Sequence, residues 1–128
     1  MEELIKITMS GLDYELIRRV KELREAHHLS QVQLSHRMEL ASGFVGKVEL
    51  LTAPDKYSIR HLGLLAKAFG LKSLNELFPA VLPKEDLVTL TLRVTYNQKK
   101  DGSPSKKKLI EVIEVVSLKP GETRSKVS

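Results

Sequence analysis

The chain contains no cysteine. It therefore has no disulfide framework, no thiolate metal site and no cysteine nucleophile. No apolar run approaches the roughly 20 residues needed to cross a bilayer, so no membrane partner is expected. The N-terminus opens Met1-Glu2-Glu3 and lacks the basic start of a signal peptide, which gives a cytoplasmic expectation. Four histidines are present, but no pair has the H-x3-H spacing with a carboxylate partner that a metal site needs. No Ser-His-Asp set and no paired carboxylates stand out. The sequence gives no expectation of catalysis, metal or cofactor.

What is present is an ordinary globular balance of 41% hydrophobic and 29% charged residues over 128 positions. This length fits one compact domain, or a small domain with an appendage. The formal net charge is +5, which permits an anionic partner without requiring one. The excess is uneven. Residues 1–83 hold 11 Lys+Arg against 10 Asp+Glu, and residues 84–128 hold 10 against 6. The stretch 97–108 alone carries five lysines and one aspartate.

The first two-thirds read as short helices. Asp13 is a candidate N-cap, and Leu16, Ile17, Val20 and Leu23 follow at helical spacing up to His27-His28. Ser30 and Gln33 have capping-box spacing and open a second helix with Leu34 and Met38 inward. A third segment spans residues 42–50, with Val45 and Val48 inward. Ser58 opens a fourth helix whose apolar residues are Ile59, Leu62, Leu65, Ala66 and Phe69, stopped by Gly70. Ser73 and Glu76 form another capping box, opening a fifth helix over residues 74–78.

After Pro83 the period becomes two. Val88, Leu90, Leu92, Val94 and Tyr96 alternate with Thr89, Thr91, Arg93 and Thr95, which predicts a strand. A turn-like stretch over 97–107 and a second β-rich run over 109–118 complete a hairpin with a long basic loop. Val112-Ile113 and Val115-Val116 place apolar groups on both faces of that run, which predicts burial on both sides. Leu4-Ile5-Lys6-Ile7 is a candidate third strand.

Three motifs now align in order. Residues 29–38 (LSQVQLSHRM), 44–49 (FVGKVE) and 58–71 (SIRHLGLLAKAFGL), with 74–78 (LNELF) after them, resemble the lambda-repressor-like (Xre/Cro-type) helix-turn-helix family over about residues 14–79. The resemblance implies a mainly α fold with a β appendage: a five-helix domain followed by a C-terminal β-hairpin. The corresponding organisation is an N-terminal arm or short strand over 1–12, the helical domain over 13–83, the hairpin over 84–118 and a polar tail over 119–128.

The resemblance also implies a function, a sequence-specific DNA-binding transcriptional regulator of repressor type. In that family the second helix of the motif enters the major groove, and the first points its N-terminus at a phosphate. Carried over, Gln31 would bind backbone phosphate, with Ser30 beside it. Ser42, Gly43, Gly46 and Lys47 would face the groove. Leu34, Val45, Val48 and Leu62 would be core, and Glu49 would pair with a cation such as Arg37. Positions where the family often has glycine are His28 and Glu39, so left-handed backbone is expected there.

Several features keep alternatives open. Gly43 and Gly46 permit close approach by DNA or by a partner protein, or mark the loss of reading side chains. Lys99, Lys100, Lys106, Lys107 and Lys108 suit a phosphate-binding arm, or a solvated loop whose charges flank β-prone strands. Double-stranded DNA is the leading partner, bound by a homodimer held through the hairpin. The alternative is a protein-binding module of antitoxin or immunity type, using a Leu50-Leu51 edge and the hairpin.

Overall fold

Ser10 ends a strand and Gly11 begins a helix, with no residue between them. In the computed structural model, which describes residues 2–98, 100 and 104–118, the order is β1 (Glu2–Ser10), α1 (Gly11–Ala26), α2 (Gln31–Arg37), α3 (Phe44–Glu49), α4 (Ile59–Phe69), a 3-10 turn (Leu74–Leu77), β2 (Leu87–Gln98) and β3 (Pro104–Ser117).

This corrects the expected fold class. The chain is not a five-helix domain followed by a hairpin: among the described residues a strand comes first, four α-helices follow, and the strands form one antiparallel sheet ordered β1-β2-β3. The fifth predicted helix is the 3-10 turn. Its capping box is present, with Ser73 Oγ accepting from Asn75 N at 3.1 Å and Glu76 Oε2 accepting from Ser73 N at 3.3 Å. Pro79 forces the preceding Phe78 into extended backbone, so there is no room for an α-turn. The N-terminal strand exceeds the Leu4–Ile7 fragment because its partners lie far along the chain: Ile7 pairs with Leu90 and Met9 with Val88.

The chain divides into two units. One holds the described residues of 1–10 and 85–128, and the other spans residues 11–84. In the sheet unit, Ile5, Ile7 and Met9 stand opposite Leu92, Leu90 and Val88, and Leu92, Leu90 and Val94 align in turn to Val112, Val115 and Ile110 of β3. These residues share one apolar face. On the other face Thr8 and Thr89 share a hydroxyl hydrogen bond of 3.2 Å, and Arg93 pairs in register with Glu111.

A register shift between Thr91 and Leu92 leaves Ile113 without a counterpart. This β-bulge re-phases the alternation, so Val112 and Val115 fall on the same face despite their odd spacing. It explains the irregular apolar pattern of that strand. The expected burial of both its faces does not occur: no residue from Leu109 to Ser117 is buried. The strands also reach further into the predicted loop than their alternation suggests, with Pro104 as the first residue of β3, a position where its missing N–H is tolerated.

In the helical unit, α1 begins two residues before the expected cap. Asp13 lies in the first turn, where its charge favours the helix N-terminus. Leu16, Ile17, Val20, Leu34, Val45 and Val48 are buried together with Leu65, Phe69 and Leu77. Each fully buried aliphatic side chain contributes about 1.5–3 kcal/mol. Ile59 departs from its expected inward position and is 88% exposed, because it is the first residue after the Ser58 cap and faces solvent. Leu62 is only half-buried, and Leu65 and Phe69 carry the inner face of α4 instead. Among the described residues no helix is long and apolar enough to cross a membrane.

Candidate nucleic-acid interface

The site is built on α2 and α3. Ser30 starts α2 with a reciprocal cap: its Oγ accepts from Gln33 N at 3.0 Å, and its own N–H donates to Gln33 Oε1 at 2.8 Å. The helix stops at Met38, and Glu39 turns the chain with φ of +59°. Ser35, fully buried, then fixes the second helix against the first. Its hydroxyl donates to Gln31 O at 2.9 Å and accepts from Val45 N at 3.1 Å. A buried backbone N–H at the start of α3 thus finds its partner on α2.

A charged cluster closes the other end of α3. Arg24 of α1 grips Glu49 at two points, Nε to Oε2 and Nη2 to Oε1, each 2.8 Å. Its Nη1 donates to Leu29 O at 2.8 Å. This corrects the expected partner of Glu49: Arg37 instead reaches Ala68 O at 3.3 Å. Helical spacing cannot foresee a contact made across 25 residues. The carboxylate hydrogen bond holds the Arg24 guanidinium above its ordinary pKa, against the opposing effect of burial.

Gln31 completes the cluster. Its Nε2 donates to Glu49 Oε1 at 3.0 Å, and its Oε1 lies 3.2 Å from where a Cβ on Gly46 would stand. The start of α2 is therefore laid against the outward side of α3. Along that side Ser42, Gly43 and Lys47 are exposed, and Gly43 has open space where a Cβ would be.

The structure thus groups Ser30, Gln31, Ser42, Gly43, Gly46 and Lys47 within one unit, but not all are free. The Ser30 hydroxyl is used in the cap. The Ser42 hydroxyl lies 2.8 Å from His36 Nε2. Lys47 is exposed on α3. Lys100 is an exposed turn residue of the other unit. Lys106, Lys107 and Lys108 occupy β3, with their side chains outside the described residues, as is Lys99 altogether. Leu51, expected as part of an apolar edge, is buried instead, with φ of +65°.

Two residues given no part in the expected interface, Tyr57 and His61, pack on the first residue of α3, Phe44. Phe44, Tyr57 and His61 form an aromatic group, with ring centroids 4.6 Å apart for Phe44–His61 and 5.9 Å for Phe44–Tyr57. His61 also completes the α4 cap by accepting from Ser58 N at 2.9 Å through Nδ1. Desolvation, and secondarily Arg60, push its imidazole below the usual histidine pKa. Burial pushes the Tyr57 phenol well above its usual range. A histidine three residues after a capping serine was the one local signal for this role.

No family model matches the chain, and no curated protein does. The expected membership of the lambda-repressor-like family does not stand, given this result and the strand-first architecture. The three motifs are accounted for by capping serines and apolar helical spacing, which any set of short packed helices shares. A solved structure, described as the crystal structure of apo-HppE, is similar over 82% of this chain and 89% of its own. The TM-score is 0.47 at 10% identity, a likeness that carries nothing about the chemistry of this chain.

Proposed function

We propose that the α2–α3 face binds double-stranded DNA and that the protein acts as a sequence-specific regulator of transcription. The observation that supports this reading is the seating of the Gln31 amide between Gly46 and Glu49. It brings the beginning of α2 beside the exposed side of α3. Backbone N–H groups at a helix start suit a phosphate, and a helix with a bare outward side suits the major groove, about 12 Å wide. Lys47 supplies the cation on α3, and Gly43, with open space where a Cβ would be, lets the start of the helix come close to base edges, while Gly46 makes room for the Gln31 amide.

Gln31 in this reading is a positioning residue. Its Nε2 is engaged by Glu49, so backbone N–H groups rather than its amide make the phosphate contact. Few side chains reach toward bases, so affinity rests largely on phosphate contacts. Titration against a mixed-sequence duplex at two salt concentrations tests this. Affinity should fall steeply as salt rises, and Lys47→Ala should weaken it further. Absence of binding at low salt overturns the proposal.

A further inference from the structure

β3 is the last strand in the order β1-β2-β3, so one edge of its 14 residues faces no other described strand. Such an edge presents a row of unpaired N–H and C=O groups and is a ready template for another strand. The opposite edge of the sheet differs. In β1 three successive residues, Ile7, Thr8 and Met9, are buried. In β3, Leu109, Val112, Ile113, Val115 and Val116 are between 36% and 59% exposed. They lie on both faces, since Val112 and Val115 align with Leu92 and Leu90 while Leu109 and Val116 align with Thr95 and Thr89.

The charges of β3 are divided along its length. Lys106, Lys107 and Lys108 occupy positions in its first half, and Glu111 and Glu114 in its second. We infer that β3 pairs antiparallel with β3 of a second copy about a two-fold axis, joining the three strands of each copy into one sheet. Antiparallel pairing sets the lysine-bearing half of each strand along the glutamate-bearing half of the other. Parallel pairing would set like charge on like, which is unfavourable for cross-strand neighbours. The two-fold uses each complementary contact twice, and the apolar residues of both faces lose water as the sheet becomes continuous. The inference does not depend on DNA binding.

Sedimentation of the full chain tests it, using wild type, the pair Glu111→Lys/Glu114→Lys, and the triple Lys106→Glu/Lys107→Glu/Lys108→Glu. Wild type should dimerise. Each variant alone should associate at least about tenfold more weakly, and an equimolar mixture of the two should recover association as a heterodimer. A monomeric wild type at the highest soluble concentration overturns the inference, as does a mixture no tighter than its parts. Because the chain has no cysteine, single cysteines can also be placed one at a time along β3. An antiparallel two-fold predicts disulfide cross-linking near the axis only, falling away toward both strand ends, since the Cα atoms must approach within about 7 Å. Equal cross-linking along the strand, or none, contradicts it.

Discussion

The guanidinium of Arg24 and the carboxylate of Glu49 meet at two points, Nε–Oε2 and Nη2–Oε1, each 2.8 Å, with side chains only 11% and 3% exposed. The pair links α1 to the end of α3, and through Glu49 it holds Gln31 as well. Removing one member of a buried pair leaves the other charge without compensation, at a cost of about 3–5 kcal/mol. Glu49→Ala should therefore destabilise the protein by this order in urea denaturation. The apolar double substitution Arg24→Met/Glu49→Leu should cost clearly less than Glu49→Ala alone. Equal losses in both would show that the geometry, not the stranded charge, dominates.

His61 gives the helical unit an acid-sensitive cap. Its Nδ1 accepts from Ser58 N, which requires the neutral ring on that nitrogen, and its pKa lies below the usual value. A depressed pKa means that the folded state binds the proton less well than the unfolded chain. The stabilisation is complete above the ordinary histidine pKa of about 6.5 and is lost as pH falls from there through the folded value. His61→Gln keeps an acceptor at the same capping position without the titration. The variant should lose less stability than wild type between neutral and mildly acid pH, with the cap itself contributing about 1 kcal/mol. Parallel pH profiles for the two proteins would sink this assignment.

Gly46 opposes stability to interface shape. Replacing it by Ala would favour the helix by about 1 kcal/mol. The new Cβ would press on Gln31 Oε1 at 3.2 Å, the end of an exposed, flexible side chain that can move by a few tenths of an ångström. Gly46→Ala should raise the melting temperature while lowering affinity for duplex DNA, because the methyl group would displace the Gln31 amide that sets the start of α2 beside α3. A variant that is both more stable and equally tight in binding would remove Gly46 from the interface.

Among the described residues, three other than glycine have left-handed backbone: His28 with φ of +56°, Glu39 with +59° and Leu51 with +65°. That conformation costs roughly 1–2 kcal/mol. His28 and Glu39 are exposed, so His28→Gly and Glu39→Gly should be neutral or stabilising by up to about 1 kcal/mol, once the greater freedom of the unfolded glycine chain is counted. Leu51 is buried, so Leu51→Gly should destabilise despite relieving the same strain, by about 2–4 kcal/mol. Denaturant midpoints for the three variants check the contrast.

Much of the helical unit was legible because its signals are local. Ser30 with Gln33, Ser58 before α4 and Gly70 after it act within one turn of chain, and the structure uses each of them. Left-handed backbone at His28 and Glu39 is present too, but the expectation of it came from the family resemblance and not from a local signal. Local signals failed where neighbours along the chain are not neighbours in space. The partner of Glu49 is Arg24 on another helix, and β1 is defined by pairing with residues near the other end of the sequence. Ser73 and Glu76 formed their cap but could not make an α-helix against Pro79. On the candidate interface, residue types at Ser42, Gly43, Gly46 and Lys47 were readable. That His36 engages Ser42, and that Glu49 engages Gln31, depends on how α2 and α3 pack.

Contact between the α2–α3 face and duplex DNA can be read from the backbone amide chemical shifts of the full chain during titration with a duplex. Shifts should concentrate at Ser30, Gln31 and residues 42–47. Shifts confined to other surfaces, or none at low salt, would contradict it.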